Sequence, residues 1–326
     1  MNKINFSERF FLAGASGMVG SSIKRKLIEL GYGSHEKGGA ILAPNRKELD
    51  LLDSESVKNW MREKKPSVVI LAAAKVGGIL ANSSYPVNFI LENLKIQTNV
   101  IEAAWLNGVK RFLFLGSSCI YPKFAKQPIE EEDLLSGELE STNQWYAIAK
   151  IAGLKLCESL RKQYEFDAIS LMPTNLYGPN DNYDLQNSHV MPALIKKFID
   201  AKKNKLPFIT CWGSGSVLRE FLYVDDLAEA AVYCLEKWDP SIKNAPRDRN
   251  GNLLNHLNVG SGKDISIKEL AEKIARITEF QGLIKWDTSK PDGTPRKLLN
   301  TEKINKLGWK SSTSLDEGIK KTIASI

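Results

Sequence analysis

Histidine and cysteine are scarce in this chain of 326 residues, and both are scattered: His35, His189 and His256 are the three histidines, and Cys119, Cys157, Cys211 and Cys234 the four cysteines. No CxxC pair and no metal-ligand spacing occurs among them, so neither a zinc site nor a secreted disulfide framework is expected, and the thiols are read as reduced. Long apolar runs are missing too. None reaches the roughly 20 residues that a membrane-spanning helix needs, and the segment from Met1 to Arg9 lacks a basic stretch followed by an apolar one. These absences predict a cytoplasmic protein with no bound metal. Internal repeats and low-complexity tracts are also absent. Lys and Arg outnumber Asp and Glu by 45 to 38, giving a formal charge of +7, but the two signs are interspersed and no nucleic-acid motif accompanies them. A small phosphate-bearing ligand fits that excess better than nucleic acid or a membrane.

What is present is enough apolar material, 43% of residues, for one large or two closely joined domains. Five short β-like runs, at 9–15, 40–45, 67–74, 111–118 and 167–174, alternate with helical spacing over 18–30, 54–65, 88–107 and 144–164. Such alternation predicts an α/β fold: a doubly wound, parallel Rossmann-type sheet with helices on both faces. After Gly178-Pro179-Asn180-Asp181 the pattern loosens, which predicts a smaller mixed α/β C-terminal lobe that covers substrate. The expected division is a nucleotide-binding domain over 1–180, with a returning segment around 217–238, and a lobe made mainly of 181–326.

The first strand runs into Gly14-Ala15-Ser16-Gly17-Met18-Val19-Gly20. A glycine-rich turn that opens a helix lets the backbone approach a pyrophosphate, and the helix start offers unpaired N–H groups and the positive dipole end. The second strand is followed by Asn45-Arg46-Lys47. There a carboxylate would select the free ribose hydroxyl of NAD, whereas the guanidinium of Arg46 suits a 2′-phosphate, so NADP(H) is expected. Asp50 and Asp53, further along, suit a turn and a helix cap.

Tyr146 and Lys150 stand at i and i+4, on one face of the fourth helical segment, with Ser117 upstream at the end of the fourth strand. An ammonium beside a phenol is expected to favour its ionised form. Together the glycine turn, the strand-end serine and Tyr-x-x-x-Lys resemble the extended short-chain dehydrogenase/reductase family along essentially the whole chain. The resemblance narrows to its GDP-L-fucose synthases at Leu115-Gly116-Ser117-Ser118-Cys119-Ile120-Tyr121-Pro122, Tyr146 to Gly153, Pro173-Thr174-Asn175-Leu176-Tyr177-Gly178-Pro179, Asn187-Ser188-His189-Val190 and Lys290 to Lys297.

That resemblance implies conversion of GDP-4-keto-6-deoxy-D-mannose by C3 and C5 epimerisation and NADPH-dependent C4 reduction, in a homodimer. It implies Tyr146 as proton donor, Lys150 as holder of the nicotinamide ribose, Ser117 as the group orienting the carbonyl, Cys119 as base and His189 as acid. It adds Leu115, Gly116, Ser118, Pro173, Thr174, Asn175, Leu176 and His189 to the cofactor contacts, and gives Lys197, Trp212, Arg219 and Asp292 to the nucleotide sugar. Ser16 departs from the basic residue common in that turn, which leaves Arg46 as the chief discriminator for NADPH. A 4,6-dehydratase or a C4-epimerase of the same superfamily, or a non-catalytic dinucleotide sensor, stays open as an alternative. A dehydratase is expected to carry an acidic pair where this chain has Ser118-Cys119.

Overall fold

The computed structural model describes residues 2–184, 188–290 and 292–326. Its larger layer is a six-stranded parallel sheet in the order β2-β1-β3-β4-β5-β9. The first five of these are β1 (Arg9–Ala13), β2 (Ala40–Leu42), β3 (Val68–Leu71), β4 (Arg111–Leu115) and β5 (Ala168–Pro173). Every residue of β3, β4 and β5 is buried, as a parallel sheet covered on both faces demands. The covering helices that precede β5 are α1 (Met18–Glu29), α2 (Ser54–Lys64), the short α3 (Ile79–Ser84), α4 (Pro86–Leu106) and α5 (Gln144–Tyr164). Each element foreseen from the pattern is present, with ends moved by a few residues.

After β5 the chain enters the smaller lobe through β6 (Asn175–Tyr177), α6 (Val190–Lys203), β7 (Phe208–Trp212) and β8 (Leu218–Tyr223). It then returns twice. Helix α7 (Val224–Lys237) packs against α1, and β9 (His256–Val259), which no sequence signal singled out, pairs with β5 as the sixth strand. The remainder is β10 (Asp264–Ser266), α8 (Ile267–Thr278), β11 (Leu283–Asp287), β12 (Arg296–Lys297), α9 (Glu302–Leu307) and α10 (Leu315–Ala324). In the small lobe β8 lies between β10 and β12 and also pairs with β6, while β7 pairs with β11.

Two apolar clusters fill the space on either face of the large sheet. One gathers Phe10, Leu12, Ile23 and Leu27 with Leu227 and Leu235 of α7; the other gathers Phe11, Val57, Met61, Val100 and Leu154. A third, built on Phe198, Phe221, Leu270 and Ile274, is the core of the smaller lobe. Among the described residues no helix is long and apolar enough to cross a membrane, and no group of three or more His, Cys, Asp or Glu is arranged to hold a metal ion.

Candidate active site at the carboxyl edge of the sheet

Strand order reverses between β1 and β3, and parallel α/β sheets place ligands outside the carboxyl ends of strands at such a point. Gly14 sits there with φ +90°, and a Cβ on it would lie 2.6 Å from the backbone N of Ala73. A Cβ on Gly20 would lie 2.1 Å from the Gly14 carbonyl oxygen. Both glycines are therefore required by the packing of the turn itself.

Gly17 differs, because the nearest atom to its hypothetical Cβ is 3.6 Å away. It is the N-cap of α1, no side chain caps that end, and no acidic residue occupies the first turn. The space a side chain would fill is the approach to unpaired N–H groups at the positive end of a helix, a cradle that fits a diphosphate. Ala15 and Val19 pack against the core behind it, Met18 is half-buried, and Ser16 is exposed. Beyond β2, Asn45 Oδ1 accepts the N–H groups of Lys47 and Glu48, which fixes the loop and leaves Arg46 exposed, with no partner among the described residues. Asp50 is spent on the N–H of Leu52, and Asp53 caps α2.

Strand β4 stops at Leu115, two residues before Ser117, which had been expected to close it. The reason is local: Ser117 Oγ accepts the N–H of Cys119 at 3.2 Å and so caps a 3-10 turn, Ser118–Ile120, that bends the chain off the sheet. Ser118 is buried within that turn. Alongside runs α5, allowed close to β4 because Gly153 has no Cβ; one there would be 2.7 Å from the Phe114 ring. That approach buries Lys150 to 3% exposure, where Nζ donates to the Leu115 carbonyl at 2.8 Å and lies 4.9 Å from the Phe114 ring centre.

Burial pushes the Lys150 ammonium down to about 8. The phenol of Tyr146, whose ring centre is 5.8 Å from that ammonium, is pushed well above its ordinary value by burial and by the charge of Cys119, against a lowering hydrogen bond with Ser117. This corrects the expectation that Lys150 favours the ionised phenol at rest. Desolvation outweighs the lysine, whose donor is turned to the Leu115 carbonyl.

The structure brings Cys119 to the same point. It is half-buried, whereas Cys157, Cys211 and Cys234 are enclosed in the cores, where burial raises their thiols. Asn143 Nδ2 and Lys297 Nζ each donate to Cys119 Sγ at 3.5 Å. His189 is the N-cap of α6 and keeps an exposed surface, yet the protein crowding its ring, together with the charge of Lys297, lowers its pKa. Lys297 thus contacts the thiol and lies close enough for its charge to reach the imidazole. Neither Asn143 nor Lys297 was singled out from sequence, although Lys297 closes one of the matched motifs and Asn143 stands three residues before Tyr146. Asn187 and Pro291, quoted in those motifs, lie outside the described residues.

At the end of β5, Pro173 leads into Thr174 and Asn175, whose side chains both donate to the Glu220 carbonyl, and Leu176 continues into β6. The four residues suggested for the nucleotide sugar fall into two groups. Lys197 and Lys290 each place an ammonium 5.5 Å from the centre of the exposed Trp212 ring. Arg219 donates to the Asp292 carbonyl at 3.3 Å and is close enough to Cys119 and Glu140 to feel their charge. Burial lowers its pKa against those acids. One oxygen of Asp292 is already engaged by the N–H of Ser214 at 2.8 Å, so its carboxylate also anchors the turn after β7.

Residues 10–248 match the NAD dependent epimerase/dehydratase family. The chain is 51% identical over 316 residues to GDP-L-fucose synthase 1 of Arabidopsis thaliana, covering 97% of this chain and 92% of that protein. It is 48% identical to GDP-L-fucose synthase of Escherichia coli (strain K12), over 97% of this chain and 95% of the relative. A solved GDP-mannoheptose C4 reductase from Campylobacter jejuni with NADP bound superposes with a TM-score of 0.86 at 35% identity, covering 99% of each chain.

Proposed function

Since the chain belongs to the NAD dependent epimerase/dehydratase family and, within it, to the GDP-L-fucose synthases, we propose that it converts GDP-4-keto-6-deoxy-D-mannose to GDP-L-fucose. It inverts C3 and C5 and then reduces C4. The observation that carries this reading is the Cys119 sulfur beside the Ser117–Tyr146 hydroxyl pair, close enough for its charge to act on the phenol. A simple reductase needs the hydroxyls and Lys150; the thiol is the surplus.

Ser117 and Tyr146 hold the C4 carbonyl oxygen. Protons on C3 and C5 are acidified by that carbonyl, and the two hydroxyls stabilise the oxyanion that forms when Cys119 removes one. His189 returns a proton from the other face of the ring. Its pKa is lowered in the protein alone, and the negative charges of a diphosphate bound nearby favour the protonated form it needs. NADPH supplies hydride when bound, in the cradle of residues 14–20 with Arg46 on its 2′-phosphate. Tyr146, kept protonated by burial, gives its proton to the C4 oxygen as that charge develops. The tyrosinate left behind has the Lys150 ammonium near its ring, and that opposite charge stabilises it.

The dinucleotide is given to residues 1–180 with the returning segment around 217–238, of which α7 packs on α1 while β8 belongs to the smaller lobe, and the nucleotide sugar mainly to 181–326. Exposed Val87 and Leu91 on α4, with Trp145 and Ile148 on α5, support a homodimer that buries this apolar surface in the cytoplasm. The test of function is to mix the protein with NADPH and the 4-keto sugar nucleotide, follow loss of absorbance at the nicotinamide band and identify the product. GDP-L-fucose is expected. Absence of NADPH oxidation while the substrate remains intact contradicts the reading.

A further inference from the structure

We propose that Lys297 is a positioning residue of the epimerising half, holding Cys119 Sγ in its anionic and therefore basic form. The proposal rests on the epimerase reading of Cys119 and adds what makes that sulfur a base. A thiol is a poor hydrogen-bond acceptor, yet this sulfur faces two donors, Lys297 Nζ and Asn143 Nδ2, each at 3.5 Å. Two N–H groups converging on one sulfur are the solvation a thiolate requires, and one of them carries a full charge.

The charge of Lys297 is not spent elsewhere. Among the described residues it forms no ion pair, whereas Arg296, its neighbour on β12, is tied to Asp264 at 2.6 Å. The parallel register of β12 and β8 sets Lys297 beside Arg219, whose charge also reaches Cys119. Arg219, however, donates to the carbonyls of Leu218 and Asp292, and Glu140 offsets it. The strand is held where it is by the residues that follow: the Leu298 N–H is taken by Gln127 and the Leu299 N–H by buried Glu220. From α5 the neutral phenol of Tyr146 faces the sulfur, and from the start of α6 stands His189, whose charged form the same lysine disfavours. One ammonium therefore donates to the sulfur and disfavours the charged imidazole.

The chemical step balances on that charge. Sulfur takes the proton from carbon, so an S–H bond forms as the C–H bond breaks, and the electron pair passes to the carbonyl oxygen held by Ser117 and Tyr146. The negative charge moves from sulfur to oxygen.

The test compares carbamidomethylation of Cys119 by iodoacetamide from pH 5.5 to 10 in the full-length wild type, Lys297→Met and Lys297→Arg, with the modified cysteine identified by peptide mass. Lys297→Met is expected to move the midpoint upward by about one pH unit and slow the reaction at pH 7 by about tenfold. Lys297→Arg keeps the wild-type profile, and solvent deuterium entry at C3 and C5 falls in step with kcat for the Met variant alone. Superimposable alkylation profiles, with only KM for the nucleotide sugar raised, would overturn the proposal and make Lys297 a plain contact for the diphosphate. Alkylation needs no substrate, so a wild type that reacts as expected but exchanges no deuterium defeats the epimerase reading and leaves the lysine's effect on sulfur standing.

Discussion

Ser117, Tyr146 and Lys150 belong to one packed unit, whereas Cys119 and His189 are brought together across two. The first three stand on β4's exit and on α5, which Gly153 lets close onto the sheet, and Lys150 is buried beneath them on a backbone carbonyl. The thiol comes from a 3-10 turn beside that unit, the imidazole from the start of α6 in the smaller lobe, and Lys297 of β12 reaches both. On the proposed reading, reduction is built into the large-sheet layer, and epimerisation depends on how the smaller lobe meets it. The two halves should respond differently to substitution.

The largest effect is expected at Tyr146, where Tyr146→Phe removes the proton proposed to pass to the C4 oxygen and leaves Ser117 to hold that oxygen. General acid catalysis contributes about 10²–10⁴-fold, so NADPH oxidation should fall by about 10³ while deuterium still enters C3 and C5 at a reduced rate. Equal loss of both would mean that the halves are not separable.

At Lys150 the informative effect is on stability, and it is stabilising. Its folded pKa of about 8 lies below the ordinary 10.5, so between those values the unfolded chain holds a proton that the folded chain has released. Stability therefore rises with pH across that window, and below it the full cost of burying the charge remains. Lys150→Met should abolish turnover yet stabilise the fold near neutrality by about 3 kcal/mol, with the gain shrinking towards pH 10. Urea unfolding of both proteins at pH 7 and 9.5 checks this; a difference independent of pH contradicts it.

The smallest effect is expected at the proposed 2′-phosphate site, where Arg46 is exposed and, among the described residues, has no partner. Arg46→Ser should weaken NADPH relative to NADH by about tenfold, since an exposed charge on a phosphate is worth about 1–2 kcal/mol. Fluorescence titration with both cofactors reads it directly, and an unchanged ratio removes Arg46 from the phosphate site.

Much of this arrangement could be read from the chain before any coordinates. Alternating apolar runs gave β1 to β5 and their helices because the central strands β3 to β5 are buried on both faces, and the glycine turn marked the junction of β1 and α1 at the carboxyl edge of the sheet. Strand β9 escaped because four residues, His256–Val259, after a long polar loop carry no periodic signal; only the open side of β5 makes them a strand. Lys297 escaped for a related reason. Its target is set by the register of β12 on β8, a long-range pairing that spacing along the chain does not encode. The direction of the Tyr146 shift was misread because i, i+4 spacing places an ammonium near a phenol but says nothing of how deeply both are buried, and burial decided the sign.

The most direct measurement of the central claim is solvent deuterium entry at C3 and C5 of the nucleotide sugar, compared between wild type and Cys119→Ser. A serine hydroxyl keeps the shape of the turn but is too weakly acidic to serve as the base. The account predicts that the variant binds NADPH as the wild type does and shows exchange reduced by at least about 10²-fold. Exchange at the wild-type rate would contradict it, and the thiol would have no part in the epimerisation.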